Sequence, residues 1–110
     1  MRYTIHYYSA QLQEAILALP KTLLARYLSL TDRMTIFGPH LGEPHTKAFG
    51  KGLFELRLKG AEGIARVFYG TLVGHRIVML HSFIKQSNKT PVAERRLAEK
   101  RLKEVKHVDT

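Results

Sequence analysis

Residues 53–84 read LFELRLKGAEGIARVFYGTLVGHRIVMLHSFI, and this stretch predicts three consecutive β-strands. Apolar and charged residues alternate over 53–59, residues 64–71 are rich in β-forming types, and 76–84 carries apolar residues on both faces, as a central strand does. Short turns that contain glycine separate the three segments. Strands joined by short turns pair antiparallel, so this stretch predicts an antiparallel sheet.

The sequence on either side predicts helices and an N-terminal strand. The segments are a strand at 3–8, helices at 10–19 and 20–37, a loop at 40–52 with a short strand near 46–49, and a last helix at 92–106. Ser9 is a favourable N-cap for the first helix, and Gly38-Pro39 ends the second. The order β-α-α-β-β-β-α is an α+β fold, with the N-terminal strand and helical hairpin packed on a mainly antiparallel sheet. We expect the helices to cover one face of that sheet.

The composition limits the class of protein. The chain has 110 residues, of which 45% are apolar, and this size fits a single domain over 1–110. Cysteine is absent, so disulfides and thiolate metal sites are excluded. No apolar run approaches the ~20 residues of a membrane span, and the N-terminal residues lack the apolar core of a signal peptide. We therefore expect a soluble, cytoplasmic protein with no membrane association.

The charge is positive and unevenly distributed. Lysine and arginine number 18 against 9 acidic residues, which gives a formal net charge of +9. Residues 1–46 hold four basic and three acidic side chains, whereas residues 47–110 hold fourteen and six. Such an excess indicates a polyanionic partner, which could be nucleic acid, an anionic membrane or an acidic protein. The alternative is a charged surface that serves solubility alone.

Basic residues interrupt the predicted strands at positions that place them together. Arg57 and Arg66 lie almost symmetrically about the first hairpin turn, so they can face each other across the strand pair. Two like charges side by side on a sheet are unfavourable unless an anion bridges them. On the third strand His81, Phe83 and Lys85 are two residues apart and share a face. This sheet face is therefore suited to bind phosphate groups and to stack bases.

Other side chains extend this candidate site. Tyr69 follows Arg66 on the second strand and is a candidate catalytic residue with Arg57, Arg66, His81 and Lys85. The candidate RNA-binding residues are Lys47, Lys51, Lys59, Phe83 and Lys89. No metal site is predicted, because the histidine pair at positions 40 and 45 has no nearby carboxylate pair or thiol to complete one.

Several motifs in order resemble one toxin family. GLFELR at 52–57, RVFY at 66–69 and LHSFIK at 80–85, with LGEP at 41–44 and KTP at 89–91, resemble the phage-related HigB-like branch of the RelE/ParE toxin superfamily. The resemblance implies a RelE-like fold and a type II toxin that cleaves mRNA in the ribosomal A site without a metal or other cofactor. It also implies inhibition by a cognate antitoxin, which in this branch is commonly a helix-turn-helix DNA-binding protein.

The resemblance also assigns residues. The superfamily's arginine in the RVFY strand corresponds to Arg66, its basic position near the end of the last strand corresponds to Lys85, and Arg57 matches the arginine of the ELR motif. Ser82 and Gln86 depart from the pattern, in which a small residue and often a lysine are expected. Gln86 leaves this chain with one fewer cation at the site.

RNA cleavage without a metal requires that protein side chains perform three functions. The 2′-hydroxyl must lose a proton, the phosphorane needs its negative charge stabilised, and the 5′-oxygen must gain a proton. Arg57 and Arg66 suit the second task because guanidinium groups stay charged and bind phosphate oxygens in pairs. His81 or Lys85 can transfer protons, the lysine only if nearby cations lower its pKa. Tyr69 would orient the substrate or stack on a base.

Other interpretations of these residues remain open. Arg57 could be a solvated strand residue paired with Glu55 or Glu62, and His81 could be a hydrogen-bonded structural histidine. Tyr69 and Phe83 could belong to the core. Two rival functions also remain, a ParE-like toxin that acts on DNA gyrase and a basic module that binds RNA without cleaving it. The cluster of basic residues favours the ribonuclease, because gyrase binding requires no proton donor.

Overall fold

The computed structural model of the chain describes residues 2–86 and 91–109. Its strands are β1 (Thr4–Tyr7), β2 (Thr46–Gly50), β3 (Leu53–Gly60), β4 (Gly63–Leu72) and β5 (Arg76–Lys85). Its helices are α1 (Ala10–Leu17), α2 (Lys21–Phe37) and α3 (Val92–Asp109). The observed order, β-α-α-β-β-β-β-α, is the predicted order with one additional strand, because the short strand expected near 46–49 is present as β2.

All five strands form one sheet in the order β1-β5-β4-β3-β2. The hairpins β2–β3, β3–β4 and β4–β5 are antiparallel, whereas β1 pairs with β5 in parallel. A parallel pair needs a long crossover connection, which here begins with α1 and α2. The α+β class and the mainly antiparallel sheet are therefore confirmed.

Local hydrogen bonds mark the start of α1 and the end of α2. Ser9 Oγ accepts a hydrogen bond from the Leu12 amide at 3.1 Å, which caps α1 as predicted. Gly38 follows α2 with a φ of 96°, a left-handed value that favours glycine, and its amide donates to the Met34 carbonyl at 2.9 Å.

Within the described residues, the helices are all too short or too polar to traverse a lipid bilayer.

Helices cover both faces of the sheet, so the prediction that they cover one face is wrong. The larger hydrophobic core lies between the sheet and α1 and α2, and it includes Ile77 and Met79 of β5. A smaller core lies on the opposite side, where Val78 and Leu80 of β5 pack against α3. We call this second side the α3 face. Apolar residues at four consecutive positions of β5 require burial on both sides.

Close packing fixes α3 on the sheet. A Cβ atom on Gly70 would lie 2.5 Å from Leu102 Cδ1 and 3.1 Å from the carbonyl oxygen of Gly52. Glycine at position 70 thus allows α3 to approach β4 closely. Arg101 Nη1 donates to the Leu80 carbonyl at 2.8 Å, which adds a polar attachment to β5.

A β-bulge in β5 sets which side chains point toward α3. Phe68 pairs with His81, whereas the next residue, Tyr69, pairs with Met79, so Leu80 is an extra residue in the ladder. A bulge of this kind changes the face that the following residues occupy. Leu80 packs on the α3 face, and the residues after it, from His81 onward, resume the alternation with His81 and Phe83 on that same face.

Candidate functional site

A cleft of about 510 Å³ lies between the α3 face of the sheet and the N-terminal half of α3. Of the ten described residues that line it, six are basic and two are acidic. The lining residues are Lys47, Phe49, Glu55, Arg57, Arg66, Lys85, Val92, Arg95, Arg96 and Glu99. A concave surface with this excess of cations concentrates positive potential and attracts an anionic ligand.

Arg57 and Arg66 form the base of the cleft. They are directly paired residues on β3 and β4, as the symmetry about the hairpin turn predicts. Arg66 is 9% exposed, and its Nε is buried with no hydrogen-bond partner in the described structure. Burial lowers the pKa of the Arg66 guanidinium from its ordinary value, the charge of Glu55 opposes this shift, and the charge of Arg57 adds to it. Two guanidinium groups side by side at the base of the cleft can bind an anion through charge-assisted hydrogen bonds.

Glu55 lies between the two arginines and partly compensates their charge. Its Oε1 is 3.3 Å from Arg57 Nε and 3.6 Å from Arg66 Nε, and its side chain is only 2% exposed. Arg57 also reaches Glu43, with Nη1 and Oε1 3.1 Å apart. Glu55 follows the alternation of β3 and therefore shares the α3 face with Arg57. The carboxylate holds both guanidinium groups in position but leaves the base of the cleft cationic overall.

Lys85 ends β5 at the edge of the cleft. Burial lowers the pKa of its amine from the ordinary value, Arg66 and Arg57 lower it further, and Glu55 opposes them. This is the direction that the neighbouring cations predict from the sequence. A lysine with a lowered pKa has a larger neutral fraction near neutral pH and can accept a proton.

His81 contacts α3 instead of the cleft. Its Nε2 contacts a carboxylate oxygen of Glu94, in the first turn of α3, and its ring stacks on Phe83 at a centroid distance of 6.0 Å. Phe83 in turn stacks on Phe68 of the smaller core at 6.1 Å. Neither His81 nor Phe83 lines the cleft. Both residues help to fasten α3 to the sheet, which agrees with the structural alternatives considered for them.

Tyr69 is not part of the site. Its side chain is fully buried in the core beneath α1 and α2, on the face opposite Arg66. The hydroxyl donates to the carbonyl of Pro39, and the ring stacks on Phe54 at 5.3 Å. Burial raises the pKa of Tyr69 from its ordinary value. The placement of Tyr69 excludes a contact with a ligand in the cleft and so corrects the prediction that it is catalytic.

The predicted RNA-binding lysines lie at different places. Lys47 lines the cleft with its Nζ 5.4 Å from the centre of the Phe49 ring. Lys51 is exposed in the turn between β2 and β3, and Lys59 is exposed at the end of β3 beside α2. Lys89 lies outside the described residues. Of this group, Lys47 alone is shown to join Arg57 and Arg66 in the cleft.

Several cleft residues were missing from the predicted site. They are Phe49, Glu55, Arg95, Arg96 and Glu99. Strand alternation could have placed Glu55 beside Arg57, because the two residues are two positions apart. Arg95 and Arg96 could not be placed in this way, since their position depends on how α3 crosses the sheet. The guanidinium carbon of Arg95 lies 4.4 Å from the centre of the Phe49 ring, at the rim of the cleft.

The side chains that line the cleft can bind a phosphate group, exchange a proton and stack on a base. Two adjacent guanidinium groups can bind the non-bridging oxygens of a phosphate and stabilise added negative charge there. The Lys85 amine at the edge of the same cleft can exchange a proton with a bound ligand. Phe49 with Arg95 provides a flat surface at the rim against which a base could stack.

A comparison with family models matches most of the chain. A family model described as "Phage derived protein Gp49-like (DUF891)" matches residues 14–103. The matched range includes β2 to β5 and every residue that lines the cleft. No curated protein matches the chain significantly.

Proposed function

Because the chain belongs to the phage-derived Gp49-like family, a RelE/toxin-like family, we propose that it is the toxin of a type II toxin–antitoxin system. We further propose that it belongs to the HigB-like branch and cleaves mRNA on the ribosome. The observation that supports this proposal is the direct pairing of Arg57 and Arg66 at the base of a cationic cleft that Lys85 also lines. A phosphate group in the cleft could accept hydrogen bonds from both guanidinium groups.

In the proposed reaction the RNA supplies its own nucleophile. Lys85 in its neutral form accepts the proton of a 2′-hydroxyl, and the 2′-oxygen attacks the adjacent phosphorus. Arg57 and Arg66 stabilise the negative charge that develops on the non-bridging oxygens. The bond from phosphorus to the 5′-oxygen then breaks, and that oxygen receives a proton from charged Lys85. The products are a 2′,3′-cyclic phosphate and a 5′-hydroxyl.

The proposed partners follow from the same surface. The ribosome and its mRNA are polyanions, and six cations in the cleft would attract them over long range. A cognate antitoxin, in this branch commonly a helix-turn-helix protein, would inhibit the toxin by placing acidic groups over the cleft or by covering the face that carries it. The proposed place of action is the cytoplasm, where translation takes place.

A translation assay with labelled mRNA tests the proposed function. We expect wild-type protein to cut the message and Arg66→Ala to leave it intact while retaining a wild-type circular dichroism spectrum. Arg26→Gln is the matched control, because Arg26 is an exposed residue of α2 beside Lys59 and outside the cleft, and its replacement removes the same charge. The control should cut the message at the wild-type rate.

The other outcomes distinguish the rival functions. Growth arrest with intact mRNA would refute cleavage and favour an action on DNA gyrase. Binding to ribosomes without cleavage or growth arrest would instead favour a non-catalytic RNA-binding module. Equal loss of cleavage in Arg66→Ala and Arg26→Gln would show that total charge, and not the cleft, carries the activity.

A further inference from the structure

A second groove continues from the cleft along α3. It lies between the turn that joins β2 to β3 and the middle of α3, and its volume is about 600 Å³. Leu53 and Leu102 contribute an apolar surface to it, and Lys51, Lys103 and Lys106 are cations along it. We call this the side groove. An apolar base with cations at its sides is a surface that a nucleotide can occupy.

The cleft and the side groove meet at a common boundary. Phe49, Arg95 and Glu99 line both of them. The guanidinium carbon of Arg95 lies 4.4 Å from the centre of the Phe49 ring. Lys47 Nζ, from the cleft, lies 5.4 Å from the centre of the same ring. Arg95 Nε is also 3.5 Å from Glu99 Oε2, which restrains the guanidinium at this boundary. A strand that leaves the cleft toward the side groove must pass these residues.

We propose that the side groove is a second nucleotide-binding subsite for single-stranded RNA, and this inference rests on the proposed function of the cleft. The phosphate to be cleaved lies on Arg57 and Arg66, an adjacent base stacks at Phe49 and Arg95, and the next phosphate lies near Lys103. The protein therefore recognises several consecutive nucleotides and not a single phosphate.

Charge and shape both favour RNA over an acidic protein segment in the side groove. Four basic residues line it against one acidic residue, counting Arg95 and Glu99 at the boundary. An acidic peptide would match that charge but would not use the aromatic ring and guanidinium at the boundary. Bases stack on both kinds of group, and each stacked base contributes to single-strand affinity.

The test measures affinity against length and salt. Fluorescence anisotropy is recorded with a 2′-O-methyl dinucleotide and a 2′-O-methyl hexanucleotide, which cannot be cleaved through the 2′-oxygen. Lys103→Gln is compared with Lys100→Gln, an exposed residue of the same helix that lines neither the cleft nor the side groove. Loss of one phosphate contact should reduce the slope of log affinity against log salt by about 0.7 for a single strand.

We expect that reduction for Lys103→Gln with the hexanucleotide alone, and no change for Lys100→Gln. Phe49→Leu should weaken hexanucleotide binding by about fivefold or more, and should leave binding of an abasic backbone of the same length unchanged. Equal slopes for the two lysine variants, or equal affinities for the two oligonucleotides, would overturn the proposal. So would a Lys103→Gln variant that binds RNA normally and fails only to bind the antitoxin.

Failure of this proposal is distinguishable from failure of the proposed function. If the wild-type protein cleaves translated mRNA but binds the dinucleotide and the hexanucleotide equally well, the side groove is not a subsite and the proposed nuclease activity is still supported. If the hexanucleotide binds more tightly than the dinucleotide but the mRNA stays intact, the subsite is supported and the proposed nuclease activity is refuted.

Discussion

Glu55→Gln removes the negative charge between two guanidinium groups and keeps the shape of the side chain. Glu55 Oε1 is 3.3 Å from Arg57 Nε and 3.6 Å from Arg66 Nε, and the side chain is 2% exposed. Breaking a buried ion pair by removing one partner costs about 3–5 kcal/mol. Arg57 is partly exposed and retains Glu43, so we expect the lower end, about 3 kcal/mol of unfolding free energy.

Urea unfolding measures this loss, and Glu43→Gln is its matched control. Glu43 contacts the same Arg57, but its side chain is 69% exposed, so its replacement should cost less than about 1 kcal/mol. A domain of this size has a stability of about 5–15 kcal/mol, and the Glu55 variant should therefore remain folded in the absence of urea. Equal losses in the two variants would refute the idea that Glu55 compensates the arginine pair.

The same substitution should strengthen anion binding. Without the Glu55 carboxylate, the guanidinium groups have no competing negative charge at their centre, so added inorganic phosphate should stabilise Glu55→Gln more than wild type. Unfolding measured across a phosphate series tests this. An identical phosphate response in both proteins would show that the Glu55 carboxylate does not compete with phosphate for the two arginines.

Three further predictions concern α3 and the proton-transfer residue. Gly70→Ala should lower the unfolding free energy by about 1–3 kcal/mol, because the new methyl group meets Leu102; a neutral result would show that α3 packs differently. His81→Gln should lower stability by about 1 kcal/mol through the lost contact with Glu94 and leave cleavage near the wild-type rate, whereas loss of cleavage in a stable variant would make His81 catalytic. The single-turnover cleavage rate should rise with pH as Lys85 loses its proton. The midpoint of that rise should lie below pH 10.5, since the pKa of Lys85 is lowered from that value, and a midpoint at or above pH 10.5 contradicts Lys85 as the base.

Much of the sheet could be predicted from local patterns. The alternation in β3 and the short turn after it place Arg57 opposite Arg66, because the hydrophobic pattern and the turn set the register of a regular hairpin. The two-residue spacing of His81, Phe83 and Lys85 predicts that they share one face of the sheet. The same rule, applied to Arg66 and Tyr69, separates them, since residues three apart in a regular strand point to opposite faces.

The packing of α3 could not be predicted in the same way. The extra residue at Leu80 shifts the register of β5 against β4, and no turn or spacing signal marks it. The charged residues of α3 suggest a solvated face, because helical periodicity shows which residues are apolar but not which surface the helix crosses. Arg95 and Arg96 enter the cleft only once Gly70 and Leu102 bring α3 against β4.

The chemistry of the RNA ends tests the central claim most directly. Fragments of ribosome-bound mRNA cut by the wild-type protein are isolated, and their termini are identified by mass spectrometry, with Arg66→Ala as the inactive comparison. Attack by the 2′-oxygen at the arginine pair predicts a 2′,3′-cyclic phosphate on one fragment and a 5′-hydroxyl on the other. Fragments that carry a 3′-hydroxyl and a 5′-phosphate, or fragments of the same kind from Arg66→Ala, would contradict it.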